Sequence, residues 1–92
     1  MTQEEAERIA IVALGRLAAD DELLMRFSAL TGVPRNDFRA AAGEPGFLAG
    51  VLDFFAGHEP DLLALANASD ISPESIVAAQ MALSGNNQQE FI

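Results

Sequence analysis

A turn occurs twice in this chain, and it constrains the fold more than any other feature of the sequence. Gly32-Val33-Pro34-Arg35-Asn36-Asp37-Phe38 aligns with Asp70-Ile71-Ser72-Pro73-Glu74-Ser75-Ile76 at an offset of 38 residues. In each copy a small or polar helix stop is followed by an apolar residue. A polar turn containing proline comes next, and a second apolar residue stands five positions after the first. This is the spacing of two helices joined by a tight corner. It is also the spacing of a helix pair that reads DNA. The likeness covers residues 24–41 and 62–79, where Leu24, Phe27 and Val33 match Leu62, Leu65 and Ile71. Two copies are too few for a solenoid. The expected fold is therefore all-α, a compact bundle of five or six short helices with two helical-hairpin units around a central helix.

The individual helices are readable from their caps and stripes. Thr2-Gln3-Glu4-Glu5 is a capping box, in which the Thr2 hydroxyl and the Glu5 carboxylate satisfy each other's free amides. The first helix then runs to about Ala18, burying Ala6, Ile9, Ala10, Ala13, Leu14 and Leu17 at helical spacing. Glu4 and Arg8 are placed as an i,i+4 ion pair. Ile11 points away from the buried face. Asp20-Asp21-Glu22 starts the second helix, where acids meet free amides and the positive dipole end. Leu23, Leu24, Phe27 and Leu30 form its expected buried stripe, Met25 lies off it, and Gly32 stops it. A third helix is predicted over 34–42, with Phe38, Ala41 and Ala42 inward and Gly43 as its stop. His58-Glu59-Pro60-Asp61 turns into a fifth helix carrying Leu62, Leu63 and Leu65. Ser72 caps a sixth, with Pro73 first and Ile76, Val77, Ala79 and Leu83 as its stripe. Gly85 is read as its end. Residues 1–85 thus form one domain, and residues 86–92 a flexible polar tail closing in Phe91-Ile92.

The fourth helix is the unusual one. It opens at Glu44-Pro45-Gly46 and ends near Gly57, and Phe47, Leu48, Val51, Leu52, Phe54 and Phe55 cover a broad arc. The remaining face is Gly46, Ala49, Gly50, Asp53, Ala56 and Gly57, small where a surface helix normally carries charge. A glycine in mid-helix costs about 1 kcal/mol against alanine. Gly50 is therefore expected to allow the close approach of another element. Either this helix is central, or its small face is a seam for self-association. Asp53, among those small residues, is the acid whose burial would penalise its charge.

Charge narrows the partners. There are fourteen acids, five arginines and no lysine, for a net charge of −9. All five arginines lie in residues 1–39, whereas residues 40–92 carry seven acids and no base. Such a field repels phosphate and anionic lipid. Against that background Arg35, Asn36 and Arg39, near the start of the third helix, are the residues a DNA-reading protein would use. Arg8 and Arg26 each follow an acid by four residues, and the second copy of the turn has Glu74 where a contact to DNA would fall. Nucleic acid is an unfavoured partner, and DNA binding stands as the alternative reading.

The chemistry-bearing residues are few. With no cysteine there is no disulfide, thiolate ligand or thiol nucleophile. His58 is the single histidine, so the usual zinc sets cannot be assembled, and Asp20-Asp21-Glu22 lacks the alternation and central glycine of a calcium loop. No nucleophile elbow or glycine-rich phosphate loop is present. We expect no enzyme activity, no cofactor and no metal. Met1 to Glu5 is acidic where a signal peptide needs basic residues, and the run Ile9 to Leu14 is far short of the ~20 residues that span a bilayer. A cytoplasmic location without membrane insertion is the expectation.

The segments Leu30-Thr31-Gly32-Val33-Pro34 and Arg39 to Ala49, with Val51-Leu52-Asp53-Phe54, resemble a family of short proteins seen chiefly in alphaproteobacteria, domain-of-unknown-function family 3572. Glu4-Glu5-Ala6 and the sixth helix share the likeness, which covers about residues 3–84. The resemblance implies a small helical cytoplasmic bacterial protein and carries no activity, cofactor or site to transfer. The functional expectation is a non-enzymatic protein–protein interaction module, with a homodimer as one form. Ile11, Met25, Arg35, Asn36, Arg39, Gly50 and Asp53 are its candidate contact residues.

Overall fold

In a computed structural model, residues 1–88 are described, and they form six α-helices and one 3-10 turn with no strand among them. The helices are α1 (Gln3–Ala19), α2 (Asp21–Thr31), α3 (Phe38–Ala41), α4 (Pro45–Ala56), α5 (Glu59–Ser69) and α6 (Pro73–Gln88). The radius of gyration is 12.4 Å, close to the roughly 12 Å of a well-packed chain of this length.

The core is built on three helices. α1, α4 and α6 pack on one another, while α5 leans on α4 and α6, and α2 on α1. α1 lends this packing its closeness, because Ala6, Ala10, Ala13 and Leu17 are all fully buried. Small side chains on one helix let its neighbours approach, and the volume is supplied from the other side by Val51, Leu52 and Phe55 of α4 and Ile76 of α6, each without exposure. No polar or charged residue is buried among the described residues, so the core is lined by apolar residues. The expected stripe of α1 is observed: Ile9 and Leu14 pack against the core as half-buried members. α4 shares the core with α1 and α6.

Both copies of the turn begin with the same helix cap. Gly32 ends α2 in the left-handed conformation (φ 77°), and Asp70 ends α5 in it too (φ 60°). The Gly32 N–H donates to the Ser28 carbonyl and the Asp70 N–H to the Ala66 carbonyl. Immediately before each cap a hydroxyl reaches back one turn, Thr31 Oγ1 to the Phe27 carbonyl at 2.8 Å and Ser69 Oγ to the Leu65 carbonyl at 2.6 Å. The next residues, Val33 and Ile71, tuck against the core, and Phe38 and Ile76 are buried five positions later.

Beyond the caps the copies diverge. Ser72 accepts the Ser75 N–H at 3.1 Å, and α6 starts at once with Pro73. Pro34 stands at the position of Ser72 but has no side-chain acceptor to offer. The chain therefore winds through a 3-10 turn at Arg35–Asp37 before a four-residue α3. The single helix predicted over 34–42 is thus corrected to two short pieces, with Phe38 buried and Ala41 and Ala42 half-buried.

Three other expectations are corrected. Leu30 does not complete the buried stripe of α2; it is 76% exposed, because the last turn of that helix runs past the core. Glu4 and Arg8 form no ion pair, since both are exposed and such a contact gains only a few tenths of a kcal/mol. α6 does not stop at Gly85 but continues to Gln88. A glycine weakens a helix without ending it unless the chain turns left-handed there. The rest of the tail, including Phe91-Ile92, lies outside the described residues.

Candidate functional site

The site begins with a gap between α2 and α4. Their backbones barely approach each other, and a cluster of phenylalanine rings spans the distance. Phe27 of α2 is fully buried and meets Phe38, Phe47 and Phe54 edge to face, at centroid distances of 5.6, 5.7 and 5.4 Å. These rings hold the helices apart and leave open space above them. Gly46, Gly50, Asp53 and Gly57 share one face of α4 by helical spacing. That face opens outward, since Gly46, Asp53 and Gly57 are exposed and Gly50 half-buried.

Two open concavities lie in succession along it. The first, about 680 Å³, is lined by Phe27, Thr31, Val33, Ala41, Glu44, Gly46, Phe47 and Gly50. The second, about 520 Å³, is lined by Arg26, Ala29, Leu30, Asp53, Phe54, Gly57, His58 and Asp61. Gly50 does not serve a close approach within the chain: a Cβ built there meets nothing within 4 Å. The expected neighbour is absent because the volume beside Gly50 is the first concavity. A smaller hollow of about 240 Å³ lies elsewhere, between α1 and Ile71.

The polar side of the second concavity is a linked set. Arg26 Nη2 donates to Asp61 Oδ2 at 2.5 Å, and His58 Nδ1 lies 2.9 Å from the same oxygen. The guanidinium of Arg26 also sits 5.3 Å from the centre of the Phe54 ring, a cation–π distance. Arg26 thus joins α2 to α5 over a ring of α4, instead of pairing with Glu22 on its own helix. Asp53 accepts a hydrogen bond from Gln80 Nε2 at 2.8 Å, which fastens α4 to α6. Asp53 is exposed, so the burial anticipated for it does not occur.

The set holds Arg26 of α2 and His58 at the start of α5 on one carboxylate, and neither this concavity nor the adjoining one on the α1 side is lined by Ser, Thr or Cys. Asp20 is occupied as a cap, accepting the amides of Glu22 and Leu23 at 3.0 and 3.2 Å. Among the described residues no three His, Asp or Glu side chains converge as a metal ion requires. Nor is any helix among them long and apolar enough to cross a membrane.

Of the seven residues singled out in the sequence, the structure brings two together at this face, Gly50 and Asp53. Ile11 and Met25 are exposed, at 54% and 73%, but line neither concavity. Arg35 and Asn36 lie on the 3-10 turn and Arg39 on α3, all exposed and outside both linings. Sequence reasoning missed Leu30, Phe54, Arg26, His58 and Asp61 as one site. The Arg26–Asp61 contact spans 35 positions and carries no local signal.

Six short helices, two of them ending in left-handed caps, define a small all-α protein with an open, mostly apolar groove. The profile of the family described as "Protein of unknown function (DUF3572)" matches residues 3–86, and the chain belongs to that family. No curated protein and no solved structure matches the chain.

Proposed function

We propose that this chain is a non-enzymatic protein–protein interaction module. The observation that carries the reading is Leu30, a large apolar side chain left 76% exposed on the edge of an open concavity. An apolar groove with a polar rim is the usual form of a protein-binding surface. The reading includes self-association as one form. It is tested by sedimentation at high micromolar concentration and by affinity capture, each with the original chain and with Leu30→Glu. An assembly that Leu30→Glu abolishes supports it. A clean monomer that retains no protein overturns it.

The alternative is a DNA-binding regulator using residues 34–42. Its support is the exposure of Arg35, Asn36 and Arg39 in the only half of the chain that carries positive charge. α3 has four residues, about 6 Å of helix, which is short for an element that must reach into a groove. Mobility shifts across a salt series decide it. Non-specific binding is strongest at low salt, so no shift there ends the idea.

A further inference from the structure

The charge around the groove points to its occupant. Each concavity carries a carboxylate outside any ion pair, Glu44 in the first and Asp53, which accepts from Gln80, in the second. Arg26, the single arginine lining either, is engaged by Asp61 and covers Phe54. Residues 40–92, the part of the sequence that includes α4, carry seven acids and no base. Phosphate and anionic lipid are repelled from such a face, and a second copy at −9 would set carboxylate against carboxylate. What remains attracted is a cationic ligand with an apolar side. The groove follows α4 from Gly46 to Gly57, about 16 Å, which is three turns of a helix laid along it.

We propose that the groove along α4 binds a basic amphipathic helix of a partner protein. The apolar face of that helix covers Leu30 and Phe54, and its Lys or Arg residues meet Glu44 and Asp53. The proposal rests on the interaction-module reading above, and it deepens that reading by naming the partner's chemistry.

The test uses two synthetic helical peptides of three to four turns with identical leucine faces, one with lysines on the polar face and the other with glutamates. Binding to the full chain is followed by fluorescence anisotropy at low and at physiological salt. The expected result is micromolar binding of the lysine peptide alone, weakened by salt. Gly50→Leu, whose side chain enters the open concavity, and Leu30→Ser, which removes the apolar edge, each reduce the affinity about tenfold or more. Circular dichroism of both variants checks that the helices are retained.

No binding of the lysine peptide overturns the proposal. Equal binding of the glutamate peptide overturns it too, and so does binding indifferent to both substitutions, which is diffuse attraction to an acidic surface. Should the lysine peptide fail while an assembly of the protein still depends on Leu30, the module reading stands and this inference alone falls.

Discussion

Gly32 and Asp70, 38 positions apart, hold the same left-handed backbone, at φ 77° and φ 60°. Each ends a helix. Glycine takes this conformation without penalty, whereas a side chain with a Cβ is strained there by roughly 1–2 kcal/mol, least for Asn and Asp. Gly32→Ala is therefore expected to destabilise the protein by about 1 kcal/mol, near 5 °C in melting temperature for a domain of this size. Asp70→Gly is expected to be neutral or to stabilise. Thermal melts of the two variants check the pair, and equal losses from both would contradict the shared geometry.

The alanines of α1 set the distance between the core helices. Ala13 is fully buried. Ala13→Leu adds volume where nothing can give way, and a loss of about 1–3 kcal/mol is expected from urea unfolding. Ile11→Ala, two positions away on the exposed side, is expected to change stability by under about 0.5 kcal/mol.

Asp61 receives both Arg26 and His58, and its side chain is 15% exposed against 41% for Arg26. An ion pair half in solvent is worth little. A double-mutant cycle between Asp61→Asn and Arg26→Met, which keeps the stem over Phe54, is expected to give a coupling of about 0.5–1 kcal/mol. The coupling should shrink in high salt. A value near zero would make the contact incidental to the joining of α2 and α5.

The capping box of α1 gives a pH dependence with a definite sign. Hydrogen bonds to Glu5 from the Thr2 backbone N–H, then from the Thr2 hydroxyl, hold its carboxyl below the ordinary glutamate value. A lowered acid stabilises the fold above its unfolded value, and that contribution is lost as the pH falls through the lowered one. Amide exchange in the first turn of α1 should therefore quicken over that acid range. Thr2→Ala should return the Glu5 titration, followed by carboxyl NMR, toward the ordinary value. Because the backbone N–H remains in Thr2→Ala, a titration unchanged by it would contradict the hydroxyl's share of the box.

The parts of the fold written in local chemistry were legible. Thr2, Asp20 and Ser72 announce three helix starts, Gly32 a stop, and the paired spacing from Phe27 to Phe38 and from Leu65 to Ile76 a repeated corner. Helix three was misread because Pro34 can fix a backbone angle but cannot cap. Leu30 was misplaced because periodicity assigns a face without saying where the neighbouring helix ends. The small face of α4 was noticed, with Gly50 and Asp53 on it. Its openness was not legible, for it comes from Phe27 wedged between α2 and α4, a tertiary spacing with no sequence period. The Arg26–Asp61 link was hidden for the same reason, and a nearer acid, Glu22, competed for the assignment.

Whether the face of α4 beside Gly50 is open in solution is the central claim, and it can be measured directly. The chain contains no cysteine, so Gly50→Cys introduces a unique thiol at the floor of the groove. A thiol-specific disulfide reagent should modify it in the folded protein within about tenfold of the rate for an unstructured cysteine peptide. Saturation with the lysine-faced helix should slow that reaction. A thiol that stays silent until the protein is unfolded in urea would contradict the account, for it would place this face of α4 inside the structure.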